Sequence, residues 1–258
     1  MINIVKKVLD KVSAITSQGE KMSLAHSIEY KENNIILKGY AVYPHSVNNK
    51  IPAVLVCHDW TGRNDFACKK AEDLSKLGYI GFAIDMYGNA KLGQTKEEKS
   101  ALIQPFLQDR NKLQHRILAA LEALHQLEYV DPARIGAIGF CFGGLCVLDL
   151  ARSGANIAGV VSFHGLLHPP EKSASHQIKA KILALHGYDD PMVTPEHVMN
   201  FGNEMTQAKV DWQLHMYGRT MHAFTNPEAN DPGFGTVYDK KADLRSQIAM
   251  KNFFAEVF

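Results

Sequence analysis

A chain of 258 residues holds one large domain or two small ones, and its 28 Lys and Arg against 27 Asp and Glu leave a formal charge of +1 at pH 7. That balance excludes the basic footprint of a nucleic-acid binder and the acidic run of a solvating tail. A hydrophobic fraction of 46% beside 21% charged residues fits a globular protein with a real core, and no apolar run approaches the roughly 18 residues of a membrane helix.

Residues 1–24 read as a leader, helical at its start, with Ser17 to Glu20 as a linker. Lys6, Lys7, Asp10 and Lys11 interrupt Ile2, Ile4, Val5, Val8 and Leu9, so the stretch lacks the apolar centre of an export signal. The four cysteines, Cys57, Cys68, Cys141 and Cys146, are too few and scattered for a disulfide scaffold. The cytoplasm is therefore the expected compartment.

Residues 25–258 are expected to form a single α/β domain. Ala25 to Pro44 reads as a strand pair turning at Glu32-Asn33-Asn34. Ile51 to Cys57 is a continuous apolar run, the mark of a strand buried on both faces of a parallel sheet. A helix follows over Asp65 to Leu77, stopped by Gly78, and then a strand over Tyr79 to Ile84 that ends at Asp85-Met86-Tyr87-Gly88. Helices are predicted over Lys96 to Phe106 and Arg110 to Leu127, with Asp131-Pro132 as the break. Further strands are predicted over Arg134 to Phe140, Ile157 to Phe163, Lys181 to His186 and Trp212 to Tyr217, with helices over Gly143 to Arg152, Pro195 to Ala208 and Asp239 to Phe258. Strands alternating with helices imply a mostly parallel central sheet with helices on both faces and an antiparallel pair at the N-terminus. Ala229 to Tyr238 reads as a loop.

The most informative residues are Gly139-Phe140-Cys141-Phe142-Gly143-Gly144, where an apolar strand meets a helix. A nucleophile elbow needs that junction, because a sharp turn lifts one side chain above the sheet and its neighbouring glycines avoid collision across the turn. The N–H of Phe142 then points at a developing oxyanion, and the thiol of Cys141 lies at the positive end of the helix. The partners of an elbow nucleophile follow in the order acid, then histidine. Gly187-Tyr188-Asp189-Asp190 opens a strand end, and the G-x-x-D-x-x-V spacing selects Asp190 over a solvated Asp189. His222 lies just beyond the last strand, where an imidazole can reach the elbow while Asp190 orients it. His186, on a strand, reads as structural. Cys141 and Cys146 lack C-x₂-C spacing and the histidines are dispersed, so no metal site is expected.

From about residue 27 onward, this constellation resembles the dienelactone hydrolase (carboxymethylenebutenolidase) family of the α/β-hydrolase superfamily, whose nucleophile is a cysteine. The resemblance rests on the elbow, Gly187 to Asp190, Met221-His222-Ala223-Phe224 and Asp85-Met86-Tyr87. It implies an α/β-hydrolase fold, a Cys141–His222–Asp190 triad, no cofactor, and hydrolysis of a lactone or small ester through a thioester. In Cys57-His58-Asp59-Trp60-Thr61-Gly62 the resemblance assigns Asp59 the place of an acid that holds the resting thiol, and the Trp60 N–H that of the second oxyanion donor. Tyr87 falls among the substrate-binding candidates. The family's two carboxylate-gripping arginines are replaced by Asn89 and Asn226. Asparagine keeps a hydrogen bond but loses the charge and the bidentate fork, so a neutral or less acidic ester is expected, with Arg219 or Arg63 as candidate replacement cations. The expected partner is a small-molecule ester or lactone, with no nucleic acid or membrane, for a monomer or small homo-oligomer. Two alternatives stand beside this reading: an acyltransferase or broad carboxylesterase on the same triad, and a non-catalytic protein in which Cys141 senses redox state.

Overall fold

The structure, a computed structural model, describes residues 24–170 and 178–258. The leader expected over residues 1–24 lies outside them except for Leu24, which already belongs to the first strand. The described residues divide into two compact units, one ending at residue 136 and one running from 137 to the end.

In the first unit, β1 (Leu24–Glu32) and β2 (Ile35–Tyr43) form the expected hairpin, from Leu24 opposite Tyr43 to Glu32 opposite Ile35. Asn33 makes the turn at φ 53, a conformation that asparagine tolerates better than most residues. β3 (Ile51–Cys57) runs parallel to β4 (Ile80–Ala83), and β2 runs antiparallel to β4, so the strands lie in the order β1-β2-β4-β3. Pro52 to Cys57 are all buried, as the apolar run predicts for a strand covered on both faces. Between β3 and β4 the chain forms α1 (Asp65–Lys76), whose N-terminus is capped by the side chain of Asn64 accepting the Ala67 N–H at 3.2 Å. Gly81 on β4 has no side chain for a steric reason: a Cβ there would lie 2.2 Å from the Ala71 carbonyl oxygen. α2 (Lys96–Gln108) and α3 (Arg110–His125) meet at Asp109, whose carboxylate accepts the N–H groups of Asn111 and Lys112.

The polar centre of this unit is Asp85, just beyond β4 and 1% exposed. Its Oδ1 accepts the N–H groups of Tyr87 and Gly88 at 3.0 and 2.9 Å, and its Oδ2 accepts those of Lys38 and Ala90 at 3.0 and 2.7 Å. The Asp85 N–H donates to the Tyr30 hydroxyl at 3.2 Å, and burial pushes that hydroxyl above its usual pKa range. Arg116, buried on α3, pairs with Glu32 at 3.0 Å and donates to the Met86 carbonyl. One carboxylate thus ties β2, the end of β4 and the following loop together.

β5 (Val130–Phe140) begins in the first unit and ends in the second. It starts four residues earlier than predicted, because Asp131 Oδ1 takes up the Ala133 N–H at 3.0 Å and the extended chain continues past Pro132. In the second unit, β6 (Gly159–Phe163), β7 (Lys181–Gly187) and β8 (Trp212–Tyr217) are parallel neighbours. α4 (Phe142–Arg152) is buried along its whole length, the mark of a core helix rather than a surface one. Arg152 at its end pairs with Asp149 and with Glu204 on α5 (Pro195–Gln207), and donates to the Leu167 carbonyl at 2.8 Å. α6 (Lys240–Val257) closes the chain, capped by Asp239. The fold is α/β with mostly parallel strand pairs and an N-terminal antiparallel pair, as expected. One correction concerns Ala229 to Tyr238: inside this stretch β9 (Asn230–Asp231) pairs with β10 (Thr236–Val237).

Replacing Asp85 by Ala leaves four N–H groups without their acceptor and is expected to lower unfolding stability by about 3 kcal/mol, read as a fall in the urea midpoint. A loss below about 0.5 kcal/mol would mean that water or a neighbouring group replaces the carboxylate.

Candidate active site

The turn from β5 into α4 places Cys141 at φ 56 and ψ −115, on the left-handed side that a residue with a Cβ rarely adopts. The turn closes tightly enough that a Cβ on Gly139 would lie 2.0 Å from the Gly143 carbonyl oxygen. The same applies behind it, where a Cβ on Gly144 would fall 2.6 Å from Gly165 Cα. The Cys141 N–H is shared between the Phe163 carbonyl at 3.0 Å and His164 Nδ1 at 3.2 Å. The thiol is half-buried. Phe142 opens α4, so its N–H belongs to the first-turn donors that a helix does not itself use.

Asp190 and His222 are brought together. Asp190 is buried while Asp189 and Tyr188 are exposed, which follows from the bonds that anchor the loop: Tyr188 N–H to the Tyr217 carbonyl, Asp189 N–H to that of Thr220 and Asp190 N–H to that of Gly187. The Asp190 carboxylate accepts the Met192 N–H at 2.8 Å through Oδ1 and contacts His222 Nδ1 at 2.7 Å through Oδ2. With the carboxylate as acceptor, Nδ1 carries the proton. The other ring nitrogen, Nε2, is buried, and the Cys141 side chain interacts with this imidazole. Burial lowers the His222 pKa, but the negative charge of Cys141 and the bond to Asp190 outweigh it, and the value is pushed up to about 10. The backbone of His222 is held by the short β9–β10 ladder: its N–H donates to Gly235, its carbonyl accepts from Val237, and it bridges to Thr236. Gly235, at φ 81, lets this ladder lie against Pro191, which a Cβ would meet at 2.2 Å.

The remaining predicted residues lie in different settings. In the first unit, Asp59 Oδ1 accepts the Thr61 N–H at 2.8 Å, a loop cap. The Trp60 carbonyl accepts the Tyr87 hydroxyl at 2.8 Å, so Tyr87 braces the Trp60 peptide. Asn89 is exposed at φ 52, with its N–H on the Ile36 carbonyl. Arg63 is engaged with the Lys38 carbonyl and Cys68 Sγ, at 2.7 and 3.2 Å. In the second unit, Asn226 Oδ1 accepts the Glu228 N–H at 3.0 Å, closing a local turn. Arg219 is exposed at φ 57 and lines a cavity of about 250 Å³ with Thr220, Met221 and Pro232. Among the described residues, no three His, Cys, Asp or Glu side chains form a group that could hold a metal ion.

Three histidines that sequence reasoning did not assign to the site stand close to its parts. His58 is fully buried; its Nε2 accepts the Met86 N–H at 3.2 Å and its Nδ1 faces the Asp59 carbonyl at 2.6 Å, so it shapes the loop that carries Asp59 and Trp60. His186 is buried near Asp190 and His222; burial lowers its pKa, Asp190 opposes that, and His222 adds to it. His164 contacts the Cys141 N–H directly. Its position immediately after a strand was visible in the sequence, but nothing marked its side chain as turned back toward the elbow.

The fold is that of the dienelactone hydrolase-like α/β-hydrolases. The profile of the dienelactone hydrolase family matches residues 37–258, and the chain belongs to that family. It is similar to a dienelactone hydrolase-like promiscuous phosphotriesterase from metagenomic libraries, 36% identical with a TM-score of 0.88 over 92% of this chain and 99% of that one. A Bradyrhizobium relative named "Probable 2-oxo-3-(5-oxofuran-2-ylidene)propanoate lactonase" is 30% identical over 69% of this chain and 75% of its own. A carboxymethylenebutenolidase homolog from Xenopus tropicalis is 26% identical over 76% and 78%. The expectation of an enzyme of the carboxylic-ester and lactone hydrolase kind agrees with that membership.

The raised His222 value has a measurable sign. Its contribution to stability is complete below its ordinary pKa of 6.5 and is lost as pH rises through about 10. In Cys141→Ala the interactions with Cys141 that raise the His222 value are gone, so His222 should titrate at distinctly lower pH and the decline in stability should begin earlier. NMR titration of the ring, assigned with His222→Ala, checks this; identical curves in both proteins would mean that Cys141 exerts no charge on the imidazole.

Proposed function

We propose that the protein is a cysteine-dependent hydrolase of neutral or weakly acidic lactones or small carboxylic esters. The support that weighs most is the buried His222 imidazole held at 2.7 Å by Asp190, in the same unit as a cysteine on the elbow between β5 and α4. An imidazole in that setting takes the thiol proton, leaving a nucleophile and a ready general acid side by side.

In the proposed reaction the Cys141 thiolate attacks the acyl carbon, and the carbonyl electrons move onto the oxygen. The Phe142 N–H donates to that oxyanion, and by family resemblance the Trp60 N–H is the second donor; removing one such donor costs about 3 kcal/mol in other enzymes. His222 Nε2 passes its proton to the leaving alkoxide as the C–O bond breaks. Water, deprotonated by the same nitrogen, then attacks the thioester, and the C–S bond breaks to restore the thiolate. No helix among the described residues is long and apolar enough to cross a membrane, and the reading takes the enzyme as cytoplasmic and as a monomer or small homo-oligomer.

The preference for a neutral substrate rests on Asn89 and Asn226 standing where the family has arginines, and on Arg63 being held by Lys38 and Cys68. A second reading, phosphotriester hydrolysis as a side activity, is favoured by the 36% identity to a relative described as a promiscuous phosphotriesterase. The same thiolate could attack a neutral phosphoryl centre.

A hydrolysis panel tests both readings: a short p-nitrophenyl ester, a neutral enol lactone, dienelactone and a neutral phosphotriester, with wild type beside Cys141→Ala. The neutral carboxylic substrates are expected to turn over, and the variant to lose about 10³-fold or more in kcat. Dienelactone as the best substrate would overturn the charge argument. A fully active variant would overturn the cysteine mechanism, and product formed only with an added alcohol acceptor would point to acyl transfer instead.

A further inference from the structure

His164 follows β6 directly, at φ 39, a conformation that costs a residue with a Cβ about 1–3 kcal/mol and persists only where the surroundings enforce it. Here its N–H is tied to the Leu185 carbonyl on β7 at 2.8 Å. The ring is 2% exposed and stands between two parts of the proposed site. On one side Nδ1 accepts the Cys141 N–H at 3.2 Å. On the other, Nε2 is 2.8 Å from Thr225 Oγ1, a fully buried hydroxyl three residues beyond His222. The accepting nitrogen carries no proton, so the ring proton is on Nε2 and is donated to Thr225. The ring also stands edge-on to the imidazole of His222 and to Phe224, with centroids 5.1 Å away in each case.

We infer that His164 is a positioning residue: a neutral imidazole that links the backbone of Cys141 to the loop carrying His222 and thereby sets the spacing of thiol and imidazole. Two features of the neighbourhood point the same way. The Cys141 N–H already has the Phe163 carbonyl as an acceptor, so the His164 nitrogen is not needed merely to satisfy that donor. A strained backbone has nevertheless been retained that turns this ring inward, and Gly165 follows it where any Cβ would lie 2.2 Å from Ser162 Oγ. The local chain is shaped to present the side chain rather than to relieve strain.

The inference rests on Cys141 and His222 being the reacting pair, and the test separates the two. His164→Phe keeps an aromatic ring and removes both nitrogens, His164→Gln keeps an acceptor and a donor, and Thr225→Val removes the hydroxyl at nearly constant shape. Each is compared with wild type for kcat and KM on a short p-nitrophenyl ester, for the pH profile of Cys141 alkylation by iodoacetamide, and for thermal midpoint. His164→Phe is expected to lower kcat by about ten- to a hundredfold with KM within about twofold, the penalty of misplaced reacting groups. It should also slow alkylation at neutral pH, while His164→Gln recovers most of both losses. Thr225→Val should shift both in the same direction by less, and it carries the test if His164→Phe does not fold. Folded His164→Phe or Thr225→Val with wild-type kcat and alkylation profile would overturn the inference. So would His164→Gln that matches His164→Phe in rate while regaining its thermal midpoint. Retained turnover in Cys141→Ala would instead remove the reading on which the inference rests.

Discussion

The backbone of Cys141 is the constraint around which the second unit is arranged. A non-glycine residue at φ 56 is unfavourable by about 1–3 kcal/mol, and the turn survives because its neighbours leave it no alternative. Gly139 lets the chain pass over the Gly143 carbonyl, and the small residues Gly144, Ser162 and Gly165 let α4 and the end of β6 approach closely. The Cys141 N–H is received by Phe163 and His164, and the Cys141 carbonyl accepts the Gly144 N–H at 2.9 Å. What results is a half-buried thiol at the start of a helix that is itself core throughout. A core helix cannot shift without opening cavities, so the thiol cannot drift either.

The same logic holds for the imidazole. His222 leaves β8 on a loop with no regular structure of its own, and loops are ordinarily the mobile part of a fold. Here the loop is pinned from three directions: by Asp190 through the ring, by the β9–β10 ladder through the backbone, and by Pro191 against Gly235. A buried ion-pair partner is costly to desolvate, which explains why Asp190 accepts a second N–H from Met192. The carboxylate is left with few unmet lone pairs even though it sits out of water.

The elbow was legible in the sequence because its requirement is local: glycines at fixed offsets at the junction of an apolar strand and helix. Asp190 was separable from Asp189 by spacing, and burial separates them again. Most elements were legible to within a few residues, since β3, β7 and β8 are short apolar or alternating runs between turn residues. The β9–β10 ladder was not, because two-residue strands leave no periodicity to read. His164 and His58 were not either. Each acts through a side chain whose direction is set by distant strands, and a lone histidine after a strand carries no spacing signal.

Polar residues at the strand ends of the first unit show how little of a motif need be chemistry. Asp85 stands in the Asp-x-Tyr segment that carries the family resemblance, yet its four backbone donors make it a structural knot. Tyr87 spends its hydroxyl on the Trp60 carbonyl and Asp59 an oxygen on Thr61, and in the second unit Asn226 spends its carboxamide oxygen on Glu228 in the same way. In each case the engaged atom is committed to the protein, and what is left for a substrate is the remaining lone pair, carboxylate oxygen or amide donors. On the proposed reading, with asparagines where the resemblance places two arginines and with Arg63 already paired, exposed Arg219 is the remaining candidate cation, and substrate choice rests less on fixed positive charge. Selection then falls to shape and to hydrogen bonds with neutral groups. Such selection discriminates by smaller factors than a bidentate charge pair does, so breadth of substrate is the expected consequence of the same substitutions that remove the carboxylate grip.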